Sequence, residues 1–226
     1  MLLAIDTATQ AASLALYASG CVRAEVTWLS TGRHTSELMP RIVWTIEHAG
    51  SGISDLTGLV VSIGPGSFTG LRVGLAAAKG LALANDLPIV GVPTLDVIAQ
   101  AHAAHRSPLV AVLQAGRGKL ATMRYARSAR SRNGWRRQGE LAVTTVDRIG
   151  EDWDRPMWLC GELDAAERAS IQARLGARLK LVDPAGSLRR AGYLAELGWQ
   201  RLGAGEADDL DALQPIYIST AGVTVA

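Results

Sequence analysis

Asp6 closes an apolar run at the start of the chain, and Thr7, Thr9 and Ser13 follow within the next turn and strand. A carboxylate flanked by hydroxyls at a strand end can cradle a phosphate or a metal ion, although a lone carboxylate holds Mg²⁺ poorly without a second acid or a substrate phosphate. The same Asp can instead accept the N–H groups of its own turn. Gly64-Pro65-Gly66-Ser67, between the run Val60 to Ile63 and a helix, is a second candidate, because a strand, a glycine-rich turn and a helix N-terminus together form an anion site. No lysine follows Gly70, as a Walker loop requires, and Gly64-x-Gly66-x-x-x-Gly70 has one residue too many for a dinucleotide turn. Ser67 lacks the second glycine of a nucleophile elbow, so Ser67 or Thr69 reads as a helix cap.

The histidines are His34, His48, His102 and His105. A helical metal pair needs ligands at i and i+4, and the residue four beyond His34 is Leu38. His102 and His105 lie three apart near a helix end, and metal binding is not expected of them. Cys21 and Cys160 show neither ligand spacing nor a disulfide framework and suit a reducing compartment. No catalytic, cofactor-binding or metal-binding constellation assembles.

The elements that position these residues follow from periodicity. Residues 1–6, 12–17 and 22–28 read as strands, 34–49 as a helix with Pro40 in its first two turns, 60–63 as a strand and 69–84 as a helix. Residues 88–92 and a helix from 94 to about 102 end the first half. The second half repeats the plan with strands 109–114, 120–125 and 135–143, a short helix near Val146, strand 157–160, helix 164–175, strand 179–182 and helix 187–202. One supersecondary plan used twice marks an internal duplication. By analogy of element order it predicts an α/β, actin-like fold of two ribonuclease-H-like βββαβα lobes, 1–104 and 105–205, followed by a tail 206–226 whose return to the first lobe the sequence leaves open. In that architecture a nucleotide binds the cleft and carboxylates at the ends of the first strands hold metal and phosphate. Asp6 stands at that place in the first half; uncharged Gln114 stands there in the second.

Gly70, Gly74, Ala78 and Ala82 recur every four residues along the second helix, a ridge without side chains open to close approach by another helix. Glycine inside a helix costs about 1 kcal/mol relative to alanine, so the ridge needs a packing or binding reason. The chain of 226 residues has a formal charge of +2, which permits nucleic-acid contact without demanding it. Arg124, Arg127, Arg130, Arg132, Arg136 and Arg137 cluster around an Asn133-Gly134 turn, read as a solvated hairpin with an RNA-contacting edge as alternative. No apolar run reaches the ~18 residues of a membrane span, and no signal-type segment opens the chain, so a soluble, cytoplasmic protein is expected.

Asp6-Thr7-Ala8-Thr9, His34-Thr35-Ser36-Glu37-Leu38-Met39-Pro40, Gly64-Pro65-Gly66-Ser67-Phe68-Thr69-Gly70-Leu71-Arg72, Gly91-Val92-Pro93-Thr94-Leu95 and Pro215-Ile216-Tyr217-Ile218 resemble the TsaB family. The likeness is strong over about the first 125 residues and weaker beyond. It implies a non-catalytic homologue of the TsaD subunit that helps attach threonylcarbamoyl to the adenosine beside the anticodon of ANN-decoding tRNAs. It also implies pairing with TsaD, or with a second copy as a homodimer, further association with an ATPase, TsaE, and at most weak or indirect contact with tRNA. TsaD-like proteins hold metal through a His-x-x-x-His pair, of which only His34 remains. The family's Asp before the Ala-Arg turn is replaced at Gln114-Ala115-Gly116-Arg117. The expected partner interface comprises His34, Leu38, Met39 and Ile42 on the first helix, with Thr69, Gly70, Val73, Gly74, Ala77 and Ala78 on the second. The alternative is an enzyme of the same fold, a phosphotransferase or a metallo-endopeptidase.

Overall fold

Leu3 and Ile5 point to one side of strand β1 (Leu2–Asp6), and Leu2 and Ala4 to the other, and all four are buried. A strand apolar on both faces must be covered on both, which places it at the centre of a sheet. In the computed structural model, which describes residues 1–104, 107–219 and 222–225, β1 pairs antiparallel with β2 (Ala11–Ala18) and parallel with β4 (Gly58–Gly64). β3 (Cys21–Leu29) and β5 (Ile89–Pro93) complete a sheet of order β3-β2-β1-β4-β5. β6 (Leu109–Gln114), β7 (Lys119–Arg127), β8 (Trp135–Thr145), β9 (Met157–Gly161) and β10 (Leu179–Leu181) form a second sheet of order β10-β9-β6-β7-β8. Read from β8, this is the same topology, and the duplicated actin-like architecture stands.

Helices α1 (His34–His48) and α2 (Phe68–Asn85) cover one face of the first sheet, where Leu38, Ile42 and Ile46 meet Leu3, Ile5, Leu14 and Leu16. α5 (Ala191–Gly203) covers the other face, with Leu194, Ala195 and Leu197 against Leu2, Ala4 and Val60. The second sheet has α3 (Thr94–Gln100) on one side, through Leu95, Ile98 and Ala99, and α4 (Ala165–Leu175) on the other, through Ile171 and Leu175. The last helix of each half thus crosses to the sheet of the other half. After α5 the chain runs back along the first sheet: the Asp208 amide donates to Ile89 O at 2.9 Å, and its carboxylate accepts from the Gly91 amide at 2.7 Å. β11 (Ile216–Ser219) and β12 (Gly222–Val225) pair beyond it.

Two local expectations are corrected. The region near Val146 is a run of turns, not a helix. The last helix begins at Ala191, so Ser187 to Arg190 lie in the connection before it, and that displacement decides the chemistry of the cleft.

Candidate functional site

Asp6 ends β1 between the two lobes and is wholly buried. Its Oδ1 accepts the amide of Ala8 at 3.0 Å and the hydroxyl of Ser62 at 2.9 Å; its Oδ2 accepts Nε of Arg189 at 2.9 Å. Arg189, from the connection before α5, is also fully buried. Its Nη2 donates to Thr9 Oγ1 at 3.0 Å and Ala11 O at 2.8 Å, and its Nη1 donates to Glu162 beyond β9. Thr9 in turn donates to Glu162 Oε1 at 2.7 Å. Burial alone would favour loss of the Arg189 proton, but the carboxylates of Asp6 and Glu162 outweigh it and raise the pKa, so the guanidinium stays charged. Removing one partner of such a buried pair leaves an uncompensated charge at a cost of about 3–5 kcal/mol. Sequence reasoning gave Asp6 and missed Arg189 and Glu162; Arg189 lies 183 residues from Asp6, and no local spacing announces it.

A metal ion does not fit this arrangement, because a guanidinium already fills the place in front of the carboxylate. Nor does a phosphate fit the turn after β4. The Ser67 amide, which would face an anion, donates to Ala8 O at 2.6 Å, and a Cβ on Gly66 would come within 2.3 Å of the same oxygen. Ser67 caps α2 by accepting the Gly70 amide at 3.3 Å. Gln114 donates to Glu167 at 2.6 Å, and Glu167 completes the capping box of α4 with Asp164.

His34 is buried at the start of α1, its Nε2 3.0 Å from Thr9 O, so it anchors the helix to the β1–β2 turn. Leu38, one turn on, is core. The pairing of His102 with His105 falls outside the described residues, because His105 is not among them. Cys160 is buried and its thiol is pushed up by desolvation, while Cys21 is exposed.

The structure divides the ten residues expected at the interface. His34, Leu38, Ile42, Gly70, Gly74 and Ala78 are buried inside the chain, whereas Met39 and Thr69 are exposed and Val73 and Ala77 half-buried. Of the two reasons left open for the glycine ridge, packing or binding, the structure supplies a packing one. A Cβ on Gly70 would lie 2.2 Å from Thr7 O and one on Gly74 2.1 Å from Thr7 Oγ1, so the ridge admits the chain's own β1–β2 turn. Thr7 fastens that contact by donating to Gly70 O at 2.7 Å. On the outer face of α2, Ala76, Gly80 and Leu83 are exposed, and nothing lies within 4 Å of a Cβ built on Gly80. On α1, Met39, Val43 and Trp44 are exposed. Arg72 lies 3.8 Å above the Phe68 ring and donates to the Tyr217 hydroxyl at 2.8 Å, pinning β11 to the start of α2.

Four of the six hairpin arginines have structural partners. Arg124 pairs with Asp152, Arg132 with Glu206 and Arg137 with Asp96, while Arg127 lies over the Trp135 ring. Arg130 and Arg136 are exposed on the hairpin. Among the described residues, no helix is long and apolar enough to cross a membrane.

A family model described as TsaD, tRNA N6-adenosine threonylcarbamoyltransferase, matches residues 27–154. The chain is 36% identical over 162 residues to the tRNA threonylcarbamoyladenosine biosynthesis protein TsaB of Escherichia coli (strain K12), spanning 71% of this chain and 68% of that protein. It is 30% identical over 228 residues to the protein of the same name from Bacillus subtilis (strain 168), spanning 97% and 94%. Among solved structures it is similar to an uncharacterized protein with similarity to peptidase YEAZ from Pseudomonas aeruginosa, with a TM-score of 0.79 at 25% identity, covering 96% of this chain and 99% of that one.

Proposed function

This chain belongs to the TsaB family, and on that premise we propose that it serves tRNA threonylcarbamoyladenosine formation in the cytoplasm as a non-catalytic scaffold that docks on a TsaD-type catalytic subunit. The modified base is the adenosine beside the anticodon of ANN-decoding tRNAs, and a TsaE-type ATPase joins the assembled pair. The observation that carries the non-catalytic reading is the state of Asp6: the carboxylate placed for cleft chemistry is closed on Arg189 and Ser62. The docking surface is the outer layer of α1 and α2, where Met39, Val43, Thr69, Ala76 and Leu83 stand exposed around a bare Gly80. The buried members of the expected set, from His34 to Ala78, support that surface from beneath. With its α2 face free, the isolated chain pairs with a second copy.

The test is size-exclusion co-elution with the TsaD-type subunit of the same genome. The double variant Met39→Glu, Leu83→Glu alters only exposed side chains, so its thermal midpoint should match that of the parent. Its association should weaken by at least about thirtyfold, as expected when hot-spot side chains worth about 2 kcal/mol are replaced by charges. Undiminished co-elution by the folded double variant would remove this face from the proposal.

A further inference from the structure

Oxygens of four residues surround the Arg189 guanidinium. Asp6 Oδ2 lies 2.9 Å from Nε, Thr9 Oγ1 and Ala11 O lie 3.0 and 2.8 Å from Nη2, Asp6 Oδ1 lies 3.5 Å from Nη2, and Glu162 Oε1 accepts from Nη1. Two carboxylates, a hydroxyl and a main-chain carbonyl are the donor types of a hard divalent cation. They come from both lobes: Asp6 ends β1, Thr9 lies in the turn after it, Ala11 opens β2, and Glu162 follows β9. Asp6 and the guanidinium have no exposed surface.

We infer that Arg189 is the resident cation of the interlobe cleft. It does as a side chain what a bound divalent ion would do, balancing Asp6 and Glu162 and holding the two lobes together, so the chain closes its cleft without taking up metal or nucleotide. This goes beyond partner docking and does not depend on it, since it concerns the isolated chain. The experiment that tests it therefore fails or succeeds separately from co-elution.

Arg189→Ala removes the cation and opens its space. Ca²⁺ is the fitting probe, because it accepts irregular sets of oxygens at about 2.3–2.6 Å, whereas Mg²⁺ demands a near-ideal octahedron at about 2.0–2.1 Å. In calorimetric titration Arg189→Ala is expected to bind a single Ca²⁺ per chain, with a Ca²⁺-dependent rise in thermal midpoint. The parent protein and Arg189→Lys, which keeps a positive charge, are expected to show neither. The double variant Asp6→Asn, Arg189→Ala should lose the response. If Arg189→Ala is unfolded without metal, addition of Ca²⁺ should refold it. A folded Arg189→Ala that takes up no Ca²⁺, an Arg189→Ala that stays unfolded in millimolar Ca²⁺, or a parent protein that binds Ca²⁺ as well as the variant overturns the inference.

Discussion

Gly74 and Gly80 sit on the same helix, and the same substitution should move stability in opposite directions. At Gly80 a Cβ would meet nothing within 4 Å, so Gly80→Ala changes only the helix propensity and should stabilise the chain by about 1 kcal/mol. At Gly74 that gain is opposed, because the new Cβ would stand 2.1 Å from Thr7 Oγ1 and 3.4 Å from Thr7 Cβ. Thr7 is fully buried and its hydroxyl is held by Gly70 O at 2.7 Å, so it must shift within a filled core. Overpacking costs about 1–3 kcal/mol, and a buried hydroxyl that loses its partner costs about 1–3 kcal/mol more. Against a gain of about 1 kcal/mol, Gly74→Ala should destabilise by about 1–5 kcal/mol. Urea unfolding of both variants beside the parent measures this, the midpoints moving apart at constant slope. A Gly74→Ala chain as stable as its parent would mean that the ridge does not face the β1–β2 turn. A Gly80→Ala chain less stable than its parent would mean that the outer face of α2 is covered within the monomer. The partner readout is separate: Gly80→Arg should fold normally and lose co-elution with the TsaD-type subunit.

Tyr125 donates to Asp96 at 2.7 Å, and its phenol is held well above the ordinary value, first by burial and then by the Asp96 charge. Above pH ~10 the unfolded chain releases a proton that the folded chain keeps, so this residue's contribution to stability is intact below that pH and falls as pH rises. Tyr125→Phe should therefore cost about 1 kcal/mol at neutral pH, with the gap to the parent narrowing above pH ~10; a gap that stays constant in urea titrations up to pH ~11 would contradict the assignment. With Cys21 exposed and the Cys160 thiol buried and pushed up, a thiol reagent at neutral pH should modify Cys21 alone in the folded chain and both cysteines in denaturant, read by mass spectrometry. Arg130→Ser with Arg136→Ser should lower any salt-dependent tRNA affinity without changing the thermal midpoint, since neither side chain is buried. A lowered midpoint would show that the hairpin uses these charges structurally.

The duplicated order of strands and helices was legible in the chain because each strand and helix is written locally: period-two runs such as Leu120 to Tyr125, the Gly64-Pro65-Gly66 turn, the Ser67 cap and the apolar stripe from Leu38 to Ile46 need only neighbours in sequence. Asp6 was legible too, as a carboxylate ending a buried strand, and Leu38 as the residue where a second histidine would stand. Which face of α2 turns inward was not legible, because that helix is small or apolar nearly all round; periodicity groups Gly70, Gly74 and Ala78 on one face but says nothing of what that face meets. The exchange of α3 and α5 between the sheets was hidden for the same reason, since an apolar stripe does not name its partner. Arg189 was the furthest from reach. Its neighbours Leu188 and Arg190 give no cue, and a guanidinium becomes the counter-ion of Asp6 only when the chain folds back across 183 residues and excludes water from both charges.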